Sequence, residues 1–165
     1  MKKLFVIGIG GNVSKANIEV HDVQFIIAET LSDTYDILKR DWYGNSLHID
    51  GYKILDGIDG YRIQLESYPQ QTELNLFFIN MGGYVKDCFN EMHEFSLFAA
   101  VTESEAKEKA KEQLLKHVSD LHIDNICNVK DCLKFADGGK NYIHIIPETK
   151  SYNMHPDWSG YIKLK

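Results

Sequence analysis

Two short patterns in this sequence carry the residue types that acid–base chemistry or metal ligation needs, and each is written twice. Glu19-x-His21 returns as Glu91-x-His93, and His48-x-Asp50 returns as His122-x-Asp124. On a strand, residues two apart share a face, so each carboxylate lies beside an imidazole that it can orient for proton transfer or metal binding. Two histidines and two carboxylates together make a nitrogen–oxygen donor set suited to Zn, Mn or Fe. The set closes only if both patterns of one copy point to the same side of their sheet. For Glu-x-His three arrangements stay open: a hydrogen-bonded pair at the rim of the sheet, a shallow pocket, or a bulge that turns both residues to solvent.

Other chemistry is poorly supported. Ser46 and Ser96 each lie near a histidine in sequence but in no nucleophile-elbow motif, and Cys88, Cys127 and Cys132 have no counterparts in the first copy. An odd cysteine count without framework spacing argues for reduced thiols. Gly8-Ile9-Gly10-Gly11 has Val13 where a dinucleotide fingerprint has its third glycine, no helix opens after it, and Asn80 replaces Gly8 in the second copy. Gly-Gly therefore reads as a tight turn ending a strand, with anion binding by the paired loops as the alternative.

The elements that position these residues are themselves repeated. With Leu4 placed on Leu76, residues 4–30 align with 76–102 without a gap, and ten of the 27 pairs are identical, including Gly10/Gly82, Gly11/Gly83, Glu19/Glu91 and His21/His93. Chance would give about one pair in fifteen. Leu47-His48-Ile49-Asp50 recurs as Leu121-His122-Ile123-Asp124. Each copy predicts a short apolar strand (Leu4–Ile9, Leu76–Met81), then a second strand (about 18–28 and 90–101). On that second strand Glu19 and His21 fall in line with Phe25 and Ile27, the apolar face.

A helix follows, opened by Thr30 with Asp33 and by Thr102 with Glu105 at capping-box spacing. Its inner face carries Thr34, Leu38 and Trp42, or Ala106, Ala110 and Leu114. The Leu-His-Ile-Asp strand comes next, with the leucine and isoleucine turned inward and His48/Asp50 or His122/Asp124 turned outward to a solvated face. A last strand at Tyr61–Leu65 or Tyr142–Ile146 closes each unit.

The expected fold class is therefore α+β: a tandem repeat of two β-β-α-β-β units, each a β-grasp-like roll, packed as a pseudo-two-fold pair. The first repeat spans 1–67 and the second 74–147. Residues 148–165 form a C-terminal extension that adds a strand near 161–164.

Composition bounds the function. The chain has 165 residues and a net charge of −6, with no basic run beyond two residues, which disfavours nucleic acid as a partner. No stretch reaches the roughly 20 apolar residues of a membrane span. The Met-Lys-Lys start and the run Leu4–Ile9 resemble a signal segment, but the same run recurs mid-chain, which makes it a strand. A cytoplasmic location, no membrane and no nucleic acid are expected. Two matched halves suit a homo-oligomer or a protein partner.

The stretches Lys3-Leu4-Phe5-Val6, Gly10-Gly11-Asn12, Asn17 to Phe25 and Leu47-His48-Ile49-Asp50, with Gly57-Ile58-Asp59-Gly60-Tyr61, resemble the bacterial domain-of-unknown-function family numbered 1543. The resemblance covers residues 3–65 closely and the second copy more loosely, with Glu94 for Asp22 and Phe95 for Val23. It implies one or two copies per chain and a bacterial origin, and no activity, cofactor or catalytic residue. The residues themselves point first to a non-catalytic ligand- or protein-binding module. The alternative is a metal-binding protein or metal-dependent enzyme using Glu19, His21, His48 and Asp50, with Glu91, His93, His122 and Asp124 as the second set.

Overall fold

The computed structural model describes residues 1–165 as a mixed α+β protein, mostly strand, with three open sheets. The first half contains β1 (Lys3–Gly11), β2 (Val20–Ala28), a 3-10 turn (Leu31–Thr34), α1 (Tyr35–Asp41), β3 (Leu47–Ile54), β4 (Gly57–Ile58) and β5 (Tyr61–Glu66). The second contains β6 (Asn75–Tyr84), β7 (Met92–Ala100), α2 (Glu103–Gln113), β8 (Ser119–Asn128), α3 (Val129–Cys132), β9 (Lys134–Phe135) and β10 (Tyr142–Pro147), and β11 (Trp158–Leu164) follows.

Hydrophobic alternation decides the layers. On β1, Phe5, Ile7 and Ile9 pack with Ile37 and Leu38 of α1 in one cluster. The intervening Leu4 and Val6 pack in a second cluster, shared with Leu76, Phe78, Leu97 and Ala99 of the other half. The second half repeats the arrangement, with Phe77, Ile79 and Met81 against Ala106, Ala110 and Leu114. The two alanines of α2 are fully buried, and their small side chains let the helix lie close on β6 and β7. Thr102 accepts a hydrogen bond from the Glu105 N–H at 3.2 Å, and the Thr30 N–H donates to the Asp33 carboxylate at 2.9 Å. Each main sheet therefore carries a helix on one face and the opposite half on the other.

Within each half the strands are antiparallel, with β1 between β2 and β3, and β6 between β7 and β8. The last strands depart from expectation. Neither closes a roll within its own unit: β5 pairs with β10, Ile63 opposite Ile145. This places Ile63, Leu65, Ile143 and Ile145 in the shared central cluster, where they bury more than a small isolated roll would offer.

The halves are also stitched at their edges. β9 runs parallel to β2, and Lys134 beside it reaches Asp41 at 2.9 Å and Gln24 at 2.6 Å. Lys109 of α2 reaches Asp59 at 2.9 Å. β11 lies antiparallel along the outer edge of β3, so the first sheet has five strands and the second three.

Gly10–Gly11 and Gly82–Gly83 do not form turns. β1 and β6 run through both pairs. A Cβ at Gly11 would collide with the Ser46 carbonyl, and one at Gly83 would lie 2.6 Å from Val118 Cγ1, so close packing of neighbours rather than chain reversal selects glycine here. No helix is long and apolar enough to cross a membrane.

Candidate metal centres

Three neighbouring strands place the histidines in one row. Gly10 on β1 pairs with His21 of β2 on one side and with His48 of β3 on the other. Gly82 stands in the same way between His93 and His122. With no side chain on the central residue, the flanking rings lean over it. A Cβ at Gly10 would lie 2.7 Å from His21 Cδ2 and 2.8 Å from His48 Nε2; at Gly82 it would lie 2.6 Å from Glu91 Oε1 and 2.9 Å from His122 Nε2. The glycine is thus a condition for the cluster.

The aspartates are placed by a bulge that also occurs twice. Gly8 pairs with Gly51 and Ile9 with Ile49, which leaves Asp50 as an extra residue in β3. Asn80 pairs with Asn125 and Met81 with Ile123, leaving Asp124 extra in β8. Such an insertion re-aims one side chain without disturbing the rest of the ladder. The glutamates come from the segments just before β2 and β7, two residues ahead of His21 and His93.

These elements bring all four residues of each copy together. In the first, His48 Nε2 lies 3.0 Å from Asp50 Oδ1 and 4.0 Å from Glu19 Oε2, and His21 Nε2 lies 3.7 Å from Asp50 Oδ2. In the second, His122 Nε2 lies 2.7 Å from Glu91 Oε1 and 3.1 Å from Asp124 Oδ1. His93 Nδ1 lies 3.0 Å from Asp124 Oδ2, and its Nε2 lies 3.6 Å from Glu91 Oε2. One donor atom each from Glu19, His21 and His48 fall within 4.8 Å of one another, as do those of Glu91, His122 and Asp124. Ligands on one ion at about 2.0–2.2 Å stand roughly 3.4 Å apart, so small side-chain rotations bring the donors to that spacing.

The outward, solvated placement expected for His48 is corrected. His48 is only 2% exposed, with the Asp50 and Glu19 carboxylates and the His21 ring set around it. Tyr161 of β11 also stacks on its ring at 4.3 Å. His122 has no such cover: its side chain is 44% exposed, with Tyr84 stacked more distantly at 6.1 Å.

The electrostatics of the second cluster fit a cation. His122 Nδ1 lies 2.9 Å from the Asp120 carbonyl, which can only accept, so Nδ1 carries the proton. A neutral ring then aims the Nε2 lone pair at two carboxylate oxygens. That contact is repulsive until Nε2 takes a proton or a metal ion. The Asp120 carbonyl, with Glu91 and Asp124 behind it, accordingly raises the pKa of His122 above 6.5. Glu91 Oε1, 2.7 Å from Nε2, is buried and has no other hydrogen-bond partner, so it depends on a proton or a cation at that point. Asn80 Nδ2 donates to Asp124 Oδ2 at 3.3 Å.

Both clusters open on one cleft of about 1220 Å³ between the halves, lined by Glu19, His21 and Asp50 on one side and by Glu91, His93 and Phe95 on the other. Sequence reasoning missed Gly10, Gly82, Tyr84, Asn80 and Tyr161 as parts of the site. The glycines carried a usable signal, since both were identical between copies and stood opposite repeated histidines. The tyrosines are not equivalent in the repeat and carried none.

The family model described as Domain of Unknown Function (DUF1543) matches residues 16–65 and 88–138, so Glu19 to Asp50 and Glu91 to Asp124 fall inside the two matched segments. Among solved structures the chain is similar to the crystal structure of a protein Il1583 from Idiomarina loihiensis. The two share 28% identity at a TM-score of 0.71, over 100% of this chain and 99% of that one. No curated protein matches.

Proposed function

The chain belongs to the DUF1543 family, which assigns it no activity, and from the geometry of its own residues we propose that it is a binding module holding one divalent transition-metal ion in each half. The first ion is held by Glu19, His21, His48 and Asp50, the second by Glu91, His93, His122 and Asp124. The observation that carries the reading is the His–Gly–His row, built on three strands, closed by a glutamate and a bulged aspartate, and present twice. A hydrogen-bonded pair at a sheet rim needs neither the glycine nor the bulge. Mixed imidazole and carboxylate donors favour Zn, Mn or Fe over Ca or Mg.

The same reading takes the chain as two β-β-α-β-β repeats, 1–67 and 74–147, related by a pseudo-two-fold axis and followed by an extension at 148–165. The antiparallel pairing of β5 with β10, the last strand of each repeat, supports that symmetry.

The test is elemental analysis of protein purified without a histidine tag, loaded with zinc and freed of excess. Two clusters lead to an expected two ions per chain, one in H48A, one in H122A and none in the double variant. Wild-type protein that retains no zinc, or variants that retain as much as wild type, would overturn the proposal.

A metal-dependent enzyme is the second reading. It uses the same residues and is favoured by the cleft on which both clusters open. Turnover of a substrate that is lost on chelation and in H122A, and restored to chelated wild type by added zinc, would decide for it.

A further inference from the structure

The two clusters differ in what surrounds them. Phe78 packs edge-on to Phe25 at 5.4 Å and lies 5.5 Å from Phe95, so an aromatic series runs from the shared core to Phe95 at the cleft. Phe95 is 41% exposed and stands two residues from His93 on the same face of β7. In the first half Val23 takes the equivalent place. Exposed apolar side chains also gather at the mouth, with Ile18 and Phe89 among the lining residues. An exposed apolar surface beside convergent polar groups marks a ligand site.

We infer that the second cluster, once metal-loaded, takes a small aromatic carboxylate, with the carboxylate on the ion and the ring against Phe95. The inference rests on the metal reading above. Charge sets the ligand class: Glu91 and Asp124 repel an anion, whereas an ion of charge +2 cancels them and, by expanding from four ligands to five, offers a Lewis acid to an oxygen donor. Size fits as well. Residues two apart on a strand are separated by about 6.6 Å, roughly the reach from a carboxylate to a phenyl ring across a two-carbon linker. Phe95, with Val23 in its place in the first half, is what singles out the second cluster.

The probe is 3-phenylpropionate, titrated calorimetrically into the full chain with and without zinc. Zinc-loaded protein is expected to bind it, and chelated protein at least tenfold more weakly. 3-Phenylpropylamine, with the charge reversed, is expected to bind zinc-loaded protein at least tenfold more weakly than the acid. F95S is expected to lose about tenfold while still retaining two zinc ions per chain, and F89S, at a fully exposed position, serves as a second variant that leaves the fold intact. Equal binding with and without zinc, preference for the amine, or no binding to a fully zinc-loaded chain overturns the inference while the metal reading stands. Failure to retain zinc at all overturns both.

Discussion

At the scale of residues, the site depends on Gly10 and Gly82 as much as on the donors. G10A would press a methyl group on the ends of two side chains, the rings of His21 and His48, and not on backbone. The expected result is a loss of zinc affinity at the first cluster of tenfold or more, with a melting temperature within a few degrees of wild type, measured by calorimetry and thermal unfolding. Unchanged affinity would show that the rings do not need the gap.

His122 supplies a pH dependence. Its pKa is raised by the Asp120 carbonyl and then by Glu91 and Asp124, so its protonated form is favoured in the folded chain. The stability this gives is fully present below pH 6.5 and is lost as pH rises through the elevated folded value. Protons and metal compete for Nε2, so zinc affinity at the second cluster is expected to fall with pH starting above 6.5. Proton NMR of metal-free protein should place the His122 midpoint above 6.5, lower in E91Q; a midpoint at or below 6.5 would refute the account of this residue. Among the thiols, burial and the neighbouring Cys127 push Cys132 up to about 12, whereas Cys88 is exposed. Alkylation read by mass spectrometry should therefore modify Cys88 first and Cys132 last.

At the scale of elements, the repeat made much of the structure legible. Thr102 and Glu105 opened α2, and Ala106, Ala110 and Leu114 formed its buried face because period 3.6 fixes which residues share a side. Alternation on β2 set His21 on the same face as Phe25 for the corresponding reason. Two features were not legible. A bulge leaves no mark on a hydrophobic pattern, so Asp50 and Asp124 were assigned by simple alternation. The side of β3 that carries His48 reads as solvated because one helix covers one face, and its cover comes from β11, which lies outside the repeat and stacks Tyr161 on the ring. The outer edge of β3 is also covered by β11, whereas the equivalent edge of β8 is not: Leu47 is 5% exposed and Leu121 41%.

The edge contact of β9 is testable at this scale. Arg40 and then Lys134 hold the Asp41 carboxylate down to about 2, from an ordinary 3.8. A depressed carboxylate stabilises the fold above its unfolded pKa, and that contribution disappears as pH falls from 3.8 toward 2. D41N is expected to cost about 0.5–1 kcal/mol near neutral pH, after allowing for partial exposure, and to converge with wild type at pH about 2. Denaturant unfolding across that range checks it, and a constant difference at every pH would contradict it.

At the scale of the whole molecule, interlocking explains why neither half is a closed unit. β5 pairs with β10, β9 with β2, and Lys109 with Asp59, so each half completes the other. The sequence showed two copies but not the exchange between them, because a strand's period does not name its partner. The proposed ions, one on β1–β3 and one on β6–β8, would clamp both main sheets. Ligand linkage gives about 2.7 kcal/mol per site at a hundredfold excess over Kd, or on the order of 5–10 °C in melting temperature for a chain of this size. A melt that does not shift on adding zinc and then chelator would weigh against either site.

The most direct measurement is an anomalous-scattering map from crystals of the full chain grown with zinc and without a histidine tag. The account predicts two peaks per chain, one between His21 and His48 and one between His93 and His122, each about 2.0–2.2 Å from imidazole nitrogen. A well-phased map with no peak over Gly10 or Gly82, or with zinc bound only elsewhere, would contradict it.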